Sequence, residues 1–145
     1  MDRLEMLYRA VIMQHSQTPQ NKGELADVSA EKTAYNPTCG DMVKVQIKAE
    51  DRKIDQVQFD GEGCAISMAS SSIMTELLKG KTFEDALALI SDFTKLVSGE
   101  DPEDKQALGE AAALQGVVQF PTRIRCAQLA WKAVEDAINQ VAADE

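Results

Sequence analysis

The sequence predicts an α+β fold in which a small antiparallel sheet of about three strands packs against several helices. Three observations predict it. Period-two alternation is confined to the first 60 or so residues. Three- and four-residue apolar spacing dominates the rest. The turn residues between the alternating runs are too few for anything but a hairpin, so the strands are antiparallel.

The elements follow in order. Residues 3–15 read as an amphipathic helix with Leu4, Leu7, Tyr8, Val11 and Ile12 at helical spacing. A polar loop from Ser16 to about Val28 contains Pro19, Asn21 and Gly23. A weakly patterned strand covers Ser29 to Tyr35 and is broken by Asn36–Pro37. From Met42 to Lys48, Val43, Val45 and Ile47 alternate with polar residues, as in a half-buried strand. The charged stretch Glu50–Lys53 turns the chain into a second strand carrying Ile54, Val57 and Phe59, which Gly61 and Gly63 end.

The remainder reads as helix. Ile66, Ala69, Ile73 and Leu77 form a stripe closed by Gly80 in the position of a C-terminal cap. Thr82 is the expected N-cap of the next helix, which holds Phe83, Ala86, Leu87, Ile90 and Leu96. Ser98–Asp104 is an acidic linker, and residues 105–115 are expected to form a short third helix. The last helix is expected near Thr122–Ala142, burying Ala130, Val134, Ala137, Ile138 and Val141.

Composition narrows the function. The chain has 145 residues, 44% hydrophobic and 27% charged, which suits one domain, 1–145. With 24 acidic residues against 15 Lys and Arg, the net charge of −9 makes nucleic acid a poor partner, because affinity there comes from cations on phosphates. A basic docking partner suits such a surface, although acidity also serves solubility alone. No apolar run is long enough to span a membrane, and MDRLEMLYRAVIMQH lacks the pattern of a secretory signal, so a cytoplasmic location is expected. No P-loop and no nucleophile–base pair is visible, which leaves hydrolase and phosphate-binding readings unsupported.

The three cysteines all fall at element boundaries, where scaffolds present chemistry. Cys39 lies among turn formers in NPTCGD, and an uninterrupted strand phase puts it with Asp41 on the side of Val43. Cys64 follows Gly61-Glu62-Gly63 at a helix start, where the dipole favours thiolate. Cys126 lies near the start of the final helix and, alone, reads as a core residue. Three thiolates and a carboxylate would complete a tetrahedral zinc site. His15, the only histidine, reads as a solvated residue ending the first helix. Arg123 and Arg125 flank the approach to Cys126; either stabilises a thiolate or persulfide, or is an ion-paired surface residue. Glu62 reads as exposed, and Met68 and Met74 as core filler.

The segments LYRAVIMQH, NPTCGD, GEGCAISMASSSIMTELLKGK and ALQGVVQFPTRIRCAQLAWKA, in this order along nearly the whole chain, resemble the IscU-like iron–sulfur cluster assembly family, and within it the SufU branch. That resemblance implies zinc on Cys39, Asp41, Cys64 and Cys126. It also implies a zinc-dependent sulfurtransferase activity, with Cys39 accepting sulfur from a cysteine desulfurase of the SufS type and passing it to downstream cluster assembly proteins. In the family picture, a histidine of the desulfurase replaces Cys39 on the metal and frees its thiolate to attack the persulfide. Asp41, a hard ligand among soft ones, is the residue we expect to set how readily ligands exchange.

Arg125 stands where the scaffold branch has a ligating His, and arginine offers no lone pair. FPTRIRC replaces the scaffold branch's LPPVK-type chaperone motif, and 98–115 resembles the SufU insertion. After His15 the chain runs SQTPQNKG, less basic than the branch pattern at the desulfurase contact. Two other functions fit the same residues: a scaffold holding iron or an iron–sulfur cluster on these cysteines, and a structural zinc-binding interaction domain.

Overall fold

The structure is a computed structural model and describes residues 2–144. Its order is α1 (Arg3–Gln17), β1 (Ala30–Asn36), β2 (Asp41–Glu50), β3 (Lys53–Glu62), α2 (Ala65–Leu78) and α3 (Phe83–Val97), then 3-10 turns over Gln106–Gln119 and Pro121–Arg123, and finally α4 (Ile124–Ala143). The three strands form one antiparallel sheet in the order β1-β2-β3. This is the α+β arrangement expected from the sequence.

The β2–β3 hairpin closes on Asp51 and Arg52, both at positive φ (53° and 57°), with Glu50 paired to Lys53. Two left-handed residues make the turn whose twist matches that of the strands. Lys48 pairs with Gln56 and Ala49 with Ile54, leaving Asp55 as an extra residue in β3. That bulge explains the apolar spacing: Ile54 and Val57, three apart, both point inward with Phe59. Val43, Val45 and Ile47 are fully buried on the same face, against α4.

The centre of the molecule is α2. It is buried on almost every side, so the expected apolar stripe is only part of its packed surface. Ser67, Ser70, Ser71, Ser72 and Thr75 are also inside. Small hydroxylated residues let α1 and α4 approach closely. Ser70 donates to the Ala127 carbonyl (2.6 Å) and accepts from Trp131 Nε1 (2.9 Å), while Trp131 stacks on Phe93 with ring centroids 3.9 Å apart. Helix α2 ends just before Gly80, and Thr82 caps α3 by accepting from the Asp85 N–H. The acidic linker is anchored by buried Asp92, which accepts from the N–H groups of Glu103 and Asp104. Met68 and Met74 lie in the core, as expected.

Three expectations are corrected. The segment expected as a short α-helix is a run of 3-10 turns broken at Gly109 (φ 54°, ψ −129°), which cannot continue a helix. In α1 the buried residues are Tyr8, Val11 and His15, whereas Leu4 and Leu7 are exposed. His15 is therefore not a solvated residue. It is 4% exposed and lies on the same stripe as Tyr8 and Val11. Its Nε2 hydrogen-bonds with the Glu110 carboxylate and its Nδ1 with the Ser72 hydroxyl (2.7 Å). Ser72 Oγ in turn accepts from the Gln20 N–H, so His15 ties α1, α2 and the 3-10 segment together.

Candidate metal centre

The site forms at one end of the sheet, where the β1–β2 turn meets the N-termini of α2 and α4. Asp41 is the first residue of β2 and shares the inward phase of Val43, so its carboxylate is buried at 2% exposure. Cys39 lies in the turn before it, where its N–H bonds to the Asn36 carbonyl (3.2 Å). Cys126, 1% exposed, is in the first turn of α4. Donor atoms of Cys39, Asp41 and Cys126 all lie within 4.8 Å of one another. The Cys39 and Cys126 sulfurs are 3.4 Å apart.

Cys64 is the N-cap of α2 and makes no capping bond with its side chain. Its N–H donates to Asp41 Oδ1 (2.9 Å), and its thiol lies 3.7 Å from Asp41 Oδ2. Both oxygens of one carboxylate thus orient Cys64. The glycines before it are needed for this. A Cβ at Gly63 would stand 2.7 Å from Asp41 Oδ1, and Gly61, at φ 140°, passes so close to the Met42 carbonyl that no side chain fits.

Electrostatics favour a cation here. Burial pushes the Cys126 thiol well above the usual cysteine range, and the Asp41 carboxylate and the Cys39 thiol push it the same way. Four anionic or ionisable groups with little solvent need positive charge. Arg123 provides some. Its guanidinium is held protonated above its ordinary value by hydrogen bonding toward Cys126 and by the charge of Cys64 and Cys39. Its Nη1 lies 3.6 Å from Cys39 Sγ. Arg125 is exposed and lines a surface hollow with Tyr35, Gln128 and Lys132. Of the two arginines, Arg123 is the one that meets the thiols.

The donor set fits zinc. Tetrahedral zinc with Zn–S near 2.3 Å requires ligand atoms about 3.5–3.8 Å apart, and the 3.4 and 3.7 Å contacts are close to that. Asn36 was missed by sequence reasoning. Its Nδ2 donates to Cys126 Sγ (3.4 Å), a role its position before a proline masked as mere turn chemistry. Glu62 is exposed, as expected.

An IscU-like α+β domain with a thiol–carboxylate cluster at one end defines the class of protein. Residues 7–127 match the family described as NifU-like N terminal domain, and the chain belongs to that family. It is 46% identical to the zinc-dependent sulfurtransferase SufU of Bacillus subtilis (strain 168) over 93% of this chain and 91% of that protein. It is 44% identical to the iron–sulfur cluster assembly scaffold protein IscU of Streptococcus pyogenes serotype M1, over 98% of this chain and 89% of that one. Among solved structures, a candidate iron–sulfur cluster assembly scaffold protein for the SUF system of Fervidobacterium islandicum superposes with a TM-score of 0.86 at 32% identity, covering 92% of this chain and 98% of that one. No helix among the described residues is long and apolar enough to cross a membrane.

Proposed function

We propose that this chain is a zinc-dependent sulfurtransferase of iron–sulfur cluster assembly, which takes persulfide sulfur from a cytoplasmic cysteine desulfurase of the SufS type. The observation that carries the reading is the convergence of Cys39, Asp41 and Cys126, with Cys64 against Asp41, from three separate parts of the chain. The name and 46% identity of the Bacillus relative support it.

Cys39, Asp41, Cys64 and Cys126 would hold the ion. Bound there, zinc supplies positive charge that keeps thiols ionised at neutral pH and ties their elements together. The chain's own residues do the rest. Cys39 is the sulfur acceptor because it lies in a turn, is partly exposed and has a guanidinium beside it. Its thiolate attacks the outer sulfur of the donor's cysteine persulfide. A new S–S bond forms on Cys39, the donor's S–S bond breaks, and the electron pair leaves on the donor's cysteine sulfur. The exchange is redox-neutral and requires no proton. Arg123 stabilises the anion on either side of it, and Asp41 and Asn36 hold the other sulfurs in place.

A scaffold role has a specific observation in its favour, the 44% identity to an IscU scaffold. One experiment separates the readings. Metal analysis of the purified protein should give about one zinc, and the protein should stimulate sulfide release by a SufS-type desulfurase in a Cys39-dependent way. Anaerobic formation of a stable coloured cluster, without such stimulation, would replace this reading with the scaffold one. A Cys39→Ser variant that loses only fold stability would replace it with a structural zinc domain.

A further inference from the structure

Asn36 is 2% exposed and ends β1. Its carbonyl accepts from the Cys39 N–H (3.2 Å), it is the ladder partner of Asp41, and its Nδ2 donates to Cys126 Sγ (3.4 Å). Its Oδ1 is buried without a hydrogen-bond partner, so among the described residues the bond to sulfur is the only one its amide makes. An unmet buried acceptor costs about 1–3 kcal/mol. An apolar side chain of similar size would serve the fold at lower cost, which leaves the sulfur as the purpose of the amide.

Cys39 and Cys126 offer an incoming persulfide two thiols 3.4 Å apart. Both belong to one short chain of hydrogen bonds. Asn36 donates to Cys126, Cys126 donates to Cys39, and Arg123 Nη1 donates to Cys39 at 3.6 Å. Cys39 is partly exposed, whereas Cys126 is 1% exposed. Asn36 lines a surface hollow with Tyr35, Arg125, Gln128, Leu129 and Lys132, and it is the residue of that wall that meets the Cys126 sulfur. The hollow carries two cations, although Lys132 also pairs with Glu135. Charge therefore does not keep an anionic persulfide away from Cys126 on this side. The wall must do so.

We propose that Asn36 selects the sulfur acceptor: by covering Cys126 and donating to its sulfur, it keeps that thiol on the metal and leaves Cys39 as the one that takes sulfur. This rests on the sulfurtransferase reading above and assigns the selectivity of that reaction to a positioning residue that is not itself a ligand. Hydrogen bonds from such residues orient metal ligands.

Two variants separate the cover from the donor. Asn36→Ala removes both, whereas Asn36→Leu keeps the bulk and loses the N–H. In the metal-free proteins, alkylation of each cysteine by iodoacetamide is followed by peptide mass spectrometry. Cys126 is expected to react about tenfold faster in Asn36→Ala than in wild type, the worth of the lost bond, with Cys39 and Cys64 unchanged. The zinc-loaded proteins are then incubated with cysteine and a SufS-type desulfurase. Sulfur should appear on Cys39 alone in wild type and on both Cys39 and Cys126 in Asn36→Ala, through the same redox-neutral exchange. Asn36→Leu should melt no lower than wild type without metal, and the thiolate-to-metal absorption bands of its Co2+-substituted form should shift. Unchanged Cys126 labelling in Asn36→Ala, with sulfur still confined to Cys39, overturns the inference. Faster labelling of all three cysteines together overturns it too, as does a large loss of metal-free stability in Asn36→Leu, since either makes Asn36 a structural residue only. Unshifted cobalt bands in Asn36→Leu remove the donor role. Wild-type protein that takes up no sulfur overturns the sulfurtransferase reading itself, while the metal-free labelling still decides separately whether Asn36 covers Cys126.

Discussion

Replacing Gly63 by alanine probes the joint between Asp41 and Cys64 without touching either. The backbone at Gly63 is not left-handed, so alanine is conformationally acceptable and only the added methyl matters. That methyl would stand 2.7 Å from Asp41 Oδ1 and 2.9 Å from its Cγ, whereas ordinary contact begins near 3.4 Å, so the carboxylate must withdraw by about 0.7 Å. The 2.9 Å bond from the Cys64 N–H would stretch beyond the range of a hydrogen bond. Losing a bond to an ionised group costs about 2 kcal/mol, or about 30-fold in a binding constant. The expected outcome is a zinc affinity about 30-fold weaker, by chelator competition. Metal-free thermal stability should fall too, because the bond to buried Asp41 that the methyl breaks is present without the metal. An unchanged zinc affinity would refute the reasoning, since it would mean that Asp41 and Cys64 need not be held together for the site to form.

Asp41→Ala should weaken zinc binding and accelerate zinc exchange, followed by transfer of the metal to a chelator; unchanged affinity and transfer rate would remove Asp41 from the ligand set. Arg123→Ala should slow sulfur transfer to Cys39 about tenfold, the worth of one charge-assisted hydrogen bond. Lysine at that position should restore part of the rate, and the melting temperature should not move. His15→Ala should cost about 3 kcal/mol in a denaturant titration, because it leaves Ser72 and Glu110 without their partner and opens a cavity between α1 and α2. For pH, the raised Cys126 pKa fixes the sign. In the metal-free protein the unfolded chain gives up this proton near the ordinary cysteine value of 9.0 while the folded chain retains it, so stability is full below pH 9 and falls as pH rises above it. A melting series from pH 7 to 10.5 checks this, and Cys126→Ala should flatten the decline.

Much of the fold was legible because burial is periodic. Val43, Val45 and Ile47 gave the phase of β2, and that phase, run backward, put Asp41 on the inner side, where it lies. What was hidden had no period. Asp55 bulges out of β3, and no local pattern announces a bulge. The Ala-rich stretch after Lys105 has helical propensity, yet Gly109 breaks it and tertiary contacts hold it as 3-10 turns. His15 was misplaced because a single imidazole at a helix end has no partner in its own neighbourhood. Ser72 and Glu110, which make it a buried group, are 57 and 95 residues away. The cysteine cluster was suggested by boundaries and motif. The supporting contacts of Asn36 and Gly63 required coordinates, because each depends on a single atom of a distant residue.

The division of the three thiols follows from how each is held. Cys64 is fixed through its backbone N–H to Asp41 at the start of α2, and Cys126 is packed into α4 beneath Asn36. Cys39 alone lies in a turn, next to Gly40 at φ 72°, with the Arg123 guanidinium as its donor. On the proposed reading a thiolate that leaves a metal to attack a persulfide must carry its compensating charge with it, because an unpaired anion at a half-buried site would be protonated and cease to be a nucleophile. A helix dipole or a bound ion cannot follow the sulfur. A long guanidinium side chain at the helix entrance can, and it contacts the one thiol that lies in a turn.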